Sequence, residues 1–137
     1  MTQTRRILLV EDNDLNRTLV RAVLSHSDNP IARTCTLIEA PTLDAARTAL
    51  AAGPVDLILL DVQLPDGNGL SLVEDLAGQP KPTRPVVVVF TAGALPEHQA
   101  AAHAAGCDDF LSKPYRPHQL VDVLTTHLGA AHQRDRH

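Results

Sequence analysis

The residues of this chain best placed to do chemistry are carboxylates that end apolar runs. Asp61 closes the run Val55-Asp56-Leu57-Ile58-Leu59-Leu60-Asp61, and Val62-Gln63-Leu64-Pro65-Asp66-Gly67-Asn68-Gly69 follows at once. Earlier, Ile7-Leu8-Leu9-Val10 runs into Glu11-Asp12-Asn13. A continuous apolar run bounded by turn residues reads as a buried strand of a parallel sheet. Open α/β sheets bind and act on ligands at the C-terminal ends of such strands. Carboxylates gathered at one edge repel one another and call for a cation. This set suggests a divalent cation and phosphoryl chemistry. Read singly, Asp61 is equally a helix cap or turn former, and Glu11-Asp12 a solvated acidic turn.

The elements that must position these groups alternate between strand-like and helix-like segments. Strands are expected at 6–11, within 31–39, and at 55–60, 85–90 and 108–112. Helices are expected at 14–25, Leu43 to Ala52, Gly69 to Leu76, 96–105 and 117–128. The first helix carries Leu15, Leu19, Val20, Val23 and Leu24 at helical spacing, and Ser25 to Pro30 reads as a polar turn. Thr42 is the expected cap of the second helix, and Gly53-Pro54 its stop. Alternation of this kind predicts an α/β fold, a (βα)5 doubly wound five-stranded parallel sheet covered by helices on both faces. Right-handed crossovers send every strand's C-terminal end to one edge. Glu11, Asp12, Asp61, Thr91 and Lys113 all follow or close expected strands, so they should converge there.

Composition agrees with one soluble domain. The 137 residues suffice for a real core, with 44% hydrophobic and 20% charged residues. A net charge of −4 and the lack of a Lys/Arg run argue against nucleic acid as a direct partner. Cys35 and Cys107 lack metal-ligand spacing, and no secretory signal favours a disulfide between them. No stretch is long enough to span a bilayer, and Met1 to Arg6 holds no signal-peptide core. A cytoplasmic protein with reduced thiols is the expectation. His98 and His103 are five residues apart, off one helical face, and carry no metal expectation. One domain is expected over 5–129, with a frayed tail at 130–137.

Five separated elements together resemble the receiver domain of two-component response regulators, over residues 5 to 128. They are Glu11-Asp12, Asp61, Leu64-Pro65 with Gly67 to Gly69, Thr91-Ala92, and Lys113-Pro114. Glu11-Asp12-Asn13-Asp14-Leu15-Asn16 and Ala105 to Pro114 are similar to receivers of hybrid histidine kinases. The connection from Asp12 to Asp61 is a few residues longer than in that family, with the excess around Ser25 to Ile31. The resemblance implies a flavodoxin-like sheet of strand order 2-1-3-4-5. It implies Asp61 as phosphoacceptor and Mg²⁺ as cofactor, held by Asp12 and Asp61, by Glu11 through water, and by the backbone carbonyl of Gln63. It implies that Lys113 and the Thr91 hydroxyl meet phosphoryl oxygens, and that the Lys113-Pro114 bond is cis. Phe110 stands where the family carries a switch aromatic, while Gln63 and Gly93 flank the phosphoryl group.

The implied partners are a histidine kinase or histidine phosphotransfer domain and a downstream protein target. Leu15, Arg17, Thr18 and Tyr115 are the expected determinants of partner choice. A homodimer through the fourth helix, fifth strand and fifth helix is a further implication. Rival readings are a non-phosphorylated scaffold, a haloacid-dehalogenase-type phosphatase and a dinucleotide-binding fold. The scaffold usually lacks one of the acidic, acceptor or Lys residues, all present here. The phosphatase needs Asp where Gln63 stands, and the dinucleotide fold wants Gly-x-Gly-x-x-Gly where Glu11-Asp12-Asn13 stands.

Overall fold

Apolar runs long enough to be buried on both faces make the sheet of this computed structural model, which describes residues 5–78, 84–92, 104, 106–113 and 115–129. Its strands are β1 (Arg6–Val10), β2 (Thr36–Ala40), β3 (Leu57–Asp61), β4 (Val86–Ala92) and β5 (Asp109–Lys113). All neighbours pair in parallel, in the order β2-β1-β3-β4-β5. The expected doubly wound order is therefore the observed one. Ile7 to Val10 and Leu57 to Leu60 are fully buried, as two-sided covering requires.

Two apolar layers sandwich the sheet. Ile7, Leu9, Leu57, Leu59, Val88 and Phe90 meet the helices α1 (Asp14–Ser25), α2 (Pro30–Thr34) and α5 (Pro117–Leu124). Leu8, Val10, Ile58, Leu60, Val87 and Val89 meet α3 (Leu43–Ala52) and α4 (Leu70–Ala77). Alternation along each strand assigns successive residues to opposite layers. Each fully buried Leu or Ile adds ~1.5–3 kcal/mol relative to its exposure. A π-helical turn, Thr125–Gly129, extends α5 and buries Leu128.

The first helix keeps its expected bounds, with Asn13 as cap accepting the Asn16 N–H at 3.0 Å. Its apolar residues divide, however. Val20 and Leu24 are buried, whereas Leu15 and Leu19 are 67% and 51% exposed. An i, i+4 pair occupies its own strip of a helix, and that strip faces away from the sheet.

The segment 31–39 differs most from expectation. Pro30–Thr34 is a helix, and the strand begins only at Thr36 and runs on to Ala40. The Asn29 Oδ1 accepts the N–H groups of Ile31 and Ala32 at 2.9 and 3.4 Å, and Pro30 starts the first turn. A cap and a proline at the first helical position start a helix, and burial of Ala32 holds it. Part of this connection thus forms α2, which leads into β2 at the edge opposite the C-terminal strand ends. Expected helix 96–105, apart from residue 104, and the tail at 130–137 lie outside the described residues.

Candidate functional site

Glu11, Asp12 and Asp61 do meet at the C-terminal edge. One carboxylate oxygen from each lies within 4.8 Å of the others. This is the only cluster of three or more potential metal-ligating acidic, His or Cys side chains among the described residues. The three differ in exposure: Glu11 is buried, Asp61 half-buried and Asp12 exposed. Such a set is open to solvent on one side and fixed on the other.

The fixing of Glu11 is local. Its N–H donates to the Ala40 carbonyl at 3.0 Å, which ties it to the end of β2. Its carboxylate accepts the Asn16 side-chain amide at 3.2 Å and the Asn13 N–H at 3.4 Å. Its carbonyl accepts the Arg17 guanidinium at 2.7 Å. Arg17 also pairs with Asp14 and reaches Glu39 on β2 at 3.4 Å. Only 15% of the Arg17 side chain is exposed. Arg17 therefore braces the site from beneath, which sequence reading placed instead among the determinants of partner choice. Leu15 and Thr18, expected beside it in that role, are exposed, and Tyr115 is half-buried. Tyr115 stacks on Phe90 with ring centroids 5.5 Å apart.

A short hairpin follows Asp61, with Gln63 and Leu64 paired to Asn68 and Gly67. It closes where the Gly69 N–H donates to the Val62 carbonyl at 2.6 Å. Gly69 is required by space rather than by backbone angle. A Cβ there would stand 2.4 Å from the Asp61 carbonyl oxygen. A side chain at position 69 would thus push directly on the backbone of Asp61. At the hairpin tip, the Asp66 carboxylate accepts the N–H groups of Leu43 and Asp44 at 2.9 and 3.0 Å. Those two bonds hold its carboxyl below the usual carboxylate range.

Backbone register places the remaining candidates on the same edge. Asp61 pairs with Phe90, Thr91 with Ser112, and Ala92 with Lys113. The side chains of Gln63, Thr91 and Lys113, and the whole of Gly93 and Pro114, lie outside the described residues. The expected cis bond at Lys113-Pro114 lies there too. Phe110 sits in β5, half-buried, and packs against the layer shared with α3 and α4.

Three carboxylate oxygens converging at a solvent-facing edge suit a hard divalent cation that keeps some of its water. The donor set holds no sulfur or imidazole, so softer metals are poorly matched. No helix of the described residues is long and apolar enough to cross a membrane.

Comparison with known proteins agrees with this architecture. The response regulator receiver domain family matches residues 7–125. The polar-differentiation response regulator DivK of Brucella ovis is 32% identical over 128 residues, covering 93% of this chain and 99% of that protein. The receiver domain of a sensor histidine kinase from Pseudomonas aeruginosa PAO1 superposes with a TM-score of 0.78 at 28% identity, over 93% of this chain and 99% of that one. That structure carries a magnesium ion coordinated in its active site cleft. A CheY-like receiver from Methanospirillum hungatei JF-1 shares the fold, with a TM-score of 0.80 at 23% identity over 96% and 99% of the two chains. By its sequence and by its fold, this chain belongs to the response regulator receiver domain family.

Proposed function

We propose that this receiver is a Mg²⁺-dependent phosphoacceptor that takes a phosphoryl group from a phosphohistidine partner onto Asp61. The observation that carries the reading is the convergence of Glu11, Asp12 and Asp61 to within 4.8 Å at the open edge of the sheet. In the transfer, an Asp61 carboxylate oxygen attacks phosphorus. A P–O bond forms, the P–N bond to the donor imidazole breaks, and the imidazole nitrogen keeps the electron pair. Asp12 and Asp61 would hold Mg²⁺ directly, Glu11 through water, and Gln63 by its carbonyl. When bound, the ion neutralises carboxylate and phosphoryl charge together. Asn16 and Asn13 orient Glu11 for this, and Arg17 fixes its backbone.

Lys113 and Thr91 are assigned to the phosphoryl oxygens, as point charge and hydroxyl donor. Phe110 is assigned as a switch that acts through packing, since it has no hydroxyl. In this reading charge on Asp61 draws Thr91 inward, and Phe110 fills the space left, a shift between two populations. The surface of β5 and α5, together with the helix expected at 96–105, is then proposed to change toward its target or toward a second copy. Phe110→Ala that left target binding equally responsive to phosphorylation would remove the switch role. The chain acts on itself only, gaining and hydrolysing its own acyl phosphate, in the cytoplasm and as one domain over 5–129. The partner kinase or phosphotransfer domain is expected to meet Leu15, Thr18 and Tyr115, with exposed Leu19 beside them.

Intact mass tests the reading directly, after incubation with Mg²⁺ and acetyl phosphate for wild type and Asp61→Asn. Gain of one phosphoryl group in wild type alone, lost on chelation of Mg²⁺, is the expected result. No gain from acetyl phosphate or from a phosphorylated histidine phosphotransfer domain would leave a binding scaffold as the reading.

A further inference from the structure

The hairpin after Asp61 is fastened at its tip by hydrogen bonds to a distant part of the chain. Its tip residue, Asp66, reaches the start of α3 and accepts two N–H groups, from Leu43 at 2.9 Å and Asp44 at 3.0 Å. The first N–H groups of a helix have no partner within the helix. Here Thr42 Oγ1 takes the third, from Ala45 at 3.0 Å. The helix start is thus capped jointly, once by its own neighbour and twice from 22 and 23 residues away. Gly67 lies against the same helix, where a Cβ would stand 3.1 Å from Leu43 Cδ1. Gly67 also has a φ of +149°, which side-chain-bearing residues rarely adopt.

The other end of this hairpin is the site. Gln63 opens it two residues after Asp61, and the Gly69 N–H to Val62 carbonyl bond closes it against the Asp61 backbone. The paired strands are only two residues each; Leu64 packs on the apolar layer below, and the tip is tied by the Asp66 bonds. We infer that Asp66 is a positioning residue, whose carboxylate clamps the hairpin to the start of α3 and so sets the Gln63 carbonyl and Asp61 for cation and phosphoryl binding. The inference rests on the phosphoacceptor reading and extends it to a residue that touches neither metal nor phosphate. A carboxylate is suited to the task. It accepts two adjacent N–H groups with two oxygens, and its charge matches the positive end of a helix.

Titration with MnCl₂ followed by EPR, competed with MgCl₂, and acetyl phosphate labelling by intact mass test it. Wild type is compared with Asp66→Ala, Asp66→Asn and Thr42→Ala. Thr42→Ala removes one cap from the same helix without touching the hairpin, so it reports helix stability alone. Groups that orient metal ligands typically contribute ~10-fold or more to affinity. Asp66→Ala is expected to weaken metal binding about 10-fold and to slow labelling in step. Asp66→Asn, with one accepting oxygen, should fall between, and it carries the test if Asp66→Ala does not fold. Thr42→Ala should bind metal as wild type does. Unchanged affinity in both Asp66 variants, or an equal loss in Thr42→Ala, would overturn the positioning role. Failure of wild type itself to bind metal or gain phosphate would overturn the phosphoacceptor reading and this inference with it.

Discussion

Acidic residues stand at both edges of the sheet and are held in opposite ways. At the N-terminal edge, Asp56 and Asp108 each precede a strand and make the same two-bond clamp. Asp56 donates its N–H to the Arg6 carbonyl and accepts the Arg6 N–H on its carboxylate, both at 2.8 Å. Asp108 repeats this with Val87, again with both bonds at 2.8 Å. Each carboxylate is thus used up in fixing one strand against its neighbour. At the C-terminal edge, Glu11, Asp12 and Asp61 are instead brought within 4.8 Å of each other. Like charges at that spacing oppose folding. The difference teaches how to separate structural from functional acids: the former stand singly, each on one neighbouring strand, while the latter converge, even though Asn13 and Asn16 steady Glu11.

The largest expected effect breaks this comparison outright. Asp61→Asn should abolish phosphoryl gain by intact mass, while Asp108→Asn, which alters the opposite edge, should keep it. Labelling that survived in Asp61→Asn would show that the acceptor lies elsewhere.

Stability should respond in the reverse sense. Asp56→Ala and Asp108→Ala each leave a strand N–H without its carboxylate, at a cost of about 1–3 kcal/mol. Asp61→Asn in metal-free buffer removes one of three mutually repelling charges, and is expected to hold or raise stability. Urea unfolding of the three variants checks the pair of signs. An Asp61→Asn protein less stable than Asp108→Ala would mean that Asp61 too is a structural acid.

Adding the cation should sharpen the contrast. At ten times its dissociation constant a ligand bound only to the folded chain adds about 1.4 kcal/mol. MgCl₂ should therefore raise the melting temperature of wild type, and of Asp108→Asn, but hardly that of Asp61→Asn. Equal shifts in all three would point to a general salt effect.

The two edges were unequally legible in the sequence. The ends of the first and third strands were legible to within one residue, expected at 11 and 60 and found at Val10 and Asp61, because the aliphatic runs Ile7 to Val10 and Leu57 to Leu60 have one physical solution, burial on both faces. With the ends known, topology delivers Glu11, Asp12 and Asp61 to one place. Asp56 and Asp108 read simply as members of the expected strands 55–60 and 108–112, since their partners Arg6 and Val87 are 50 and 21 positions away. The tie from Asp66 to Leu43 was hidden for the same reason. In α2, Asn29-Pro30 serves a turn and a helix start equally well, and five residues are too few to show a helical period. Leu15 and Leu19 fit the periodicity of α1 but lie outside its buried stripe. Arg17 reads as a determinant of partner choice because its acceptors, the Glu11 carbonyl and Glu39, are visible only in three dimensions.

Asp66 lies between the two kinds of acid, since it caps backbone donors as Asp56 does but stands on the hairpin of the functional edge. Its titration gives the smallest effect. Accepting the Leu43 and Asp44 N–H groups holds its carboxyl below the usual range in the folded chain. The unfolded chain has the ordinary value, about 3.9. Protonation therefore favours unfolding, so the contribution of Asp66 is fully present above about pH 4 and disappears as pH falls through its lower folded value. Because the side chain is exposed, the step is small. Melting temperatures of wild type and Asp66→Asn between pH 7 and pH 3 should differ by a constant amount down to about pH 4 and then converge. Curves that stayed parallel into the acid range would show that the charge of Asp66 is not what holds the hairpin to α3, leaving the shape of its two accepting oxygens as the tie.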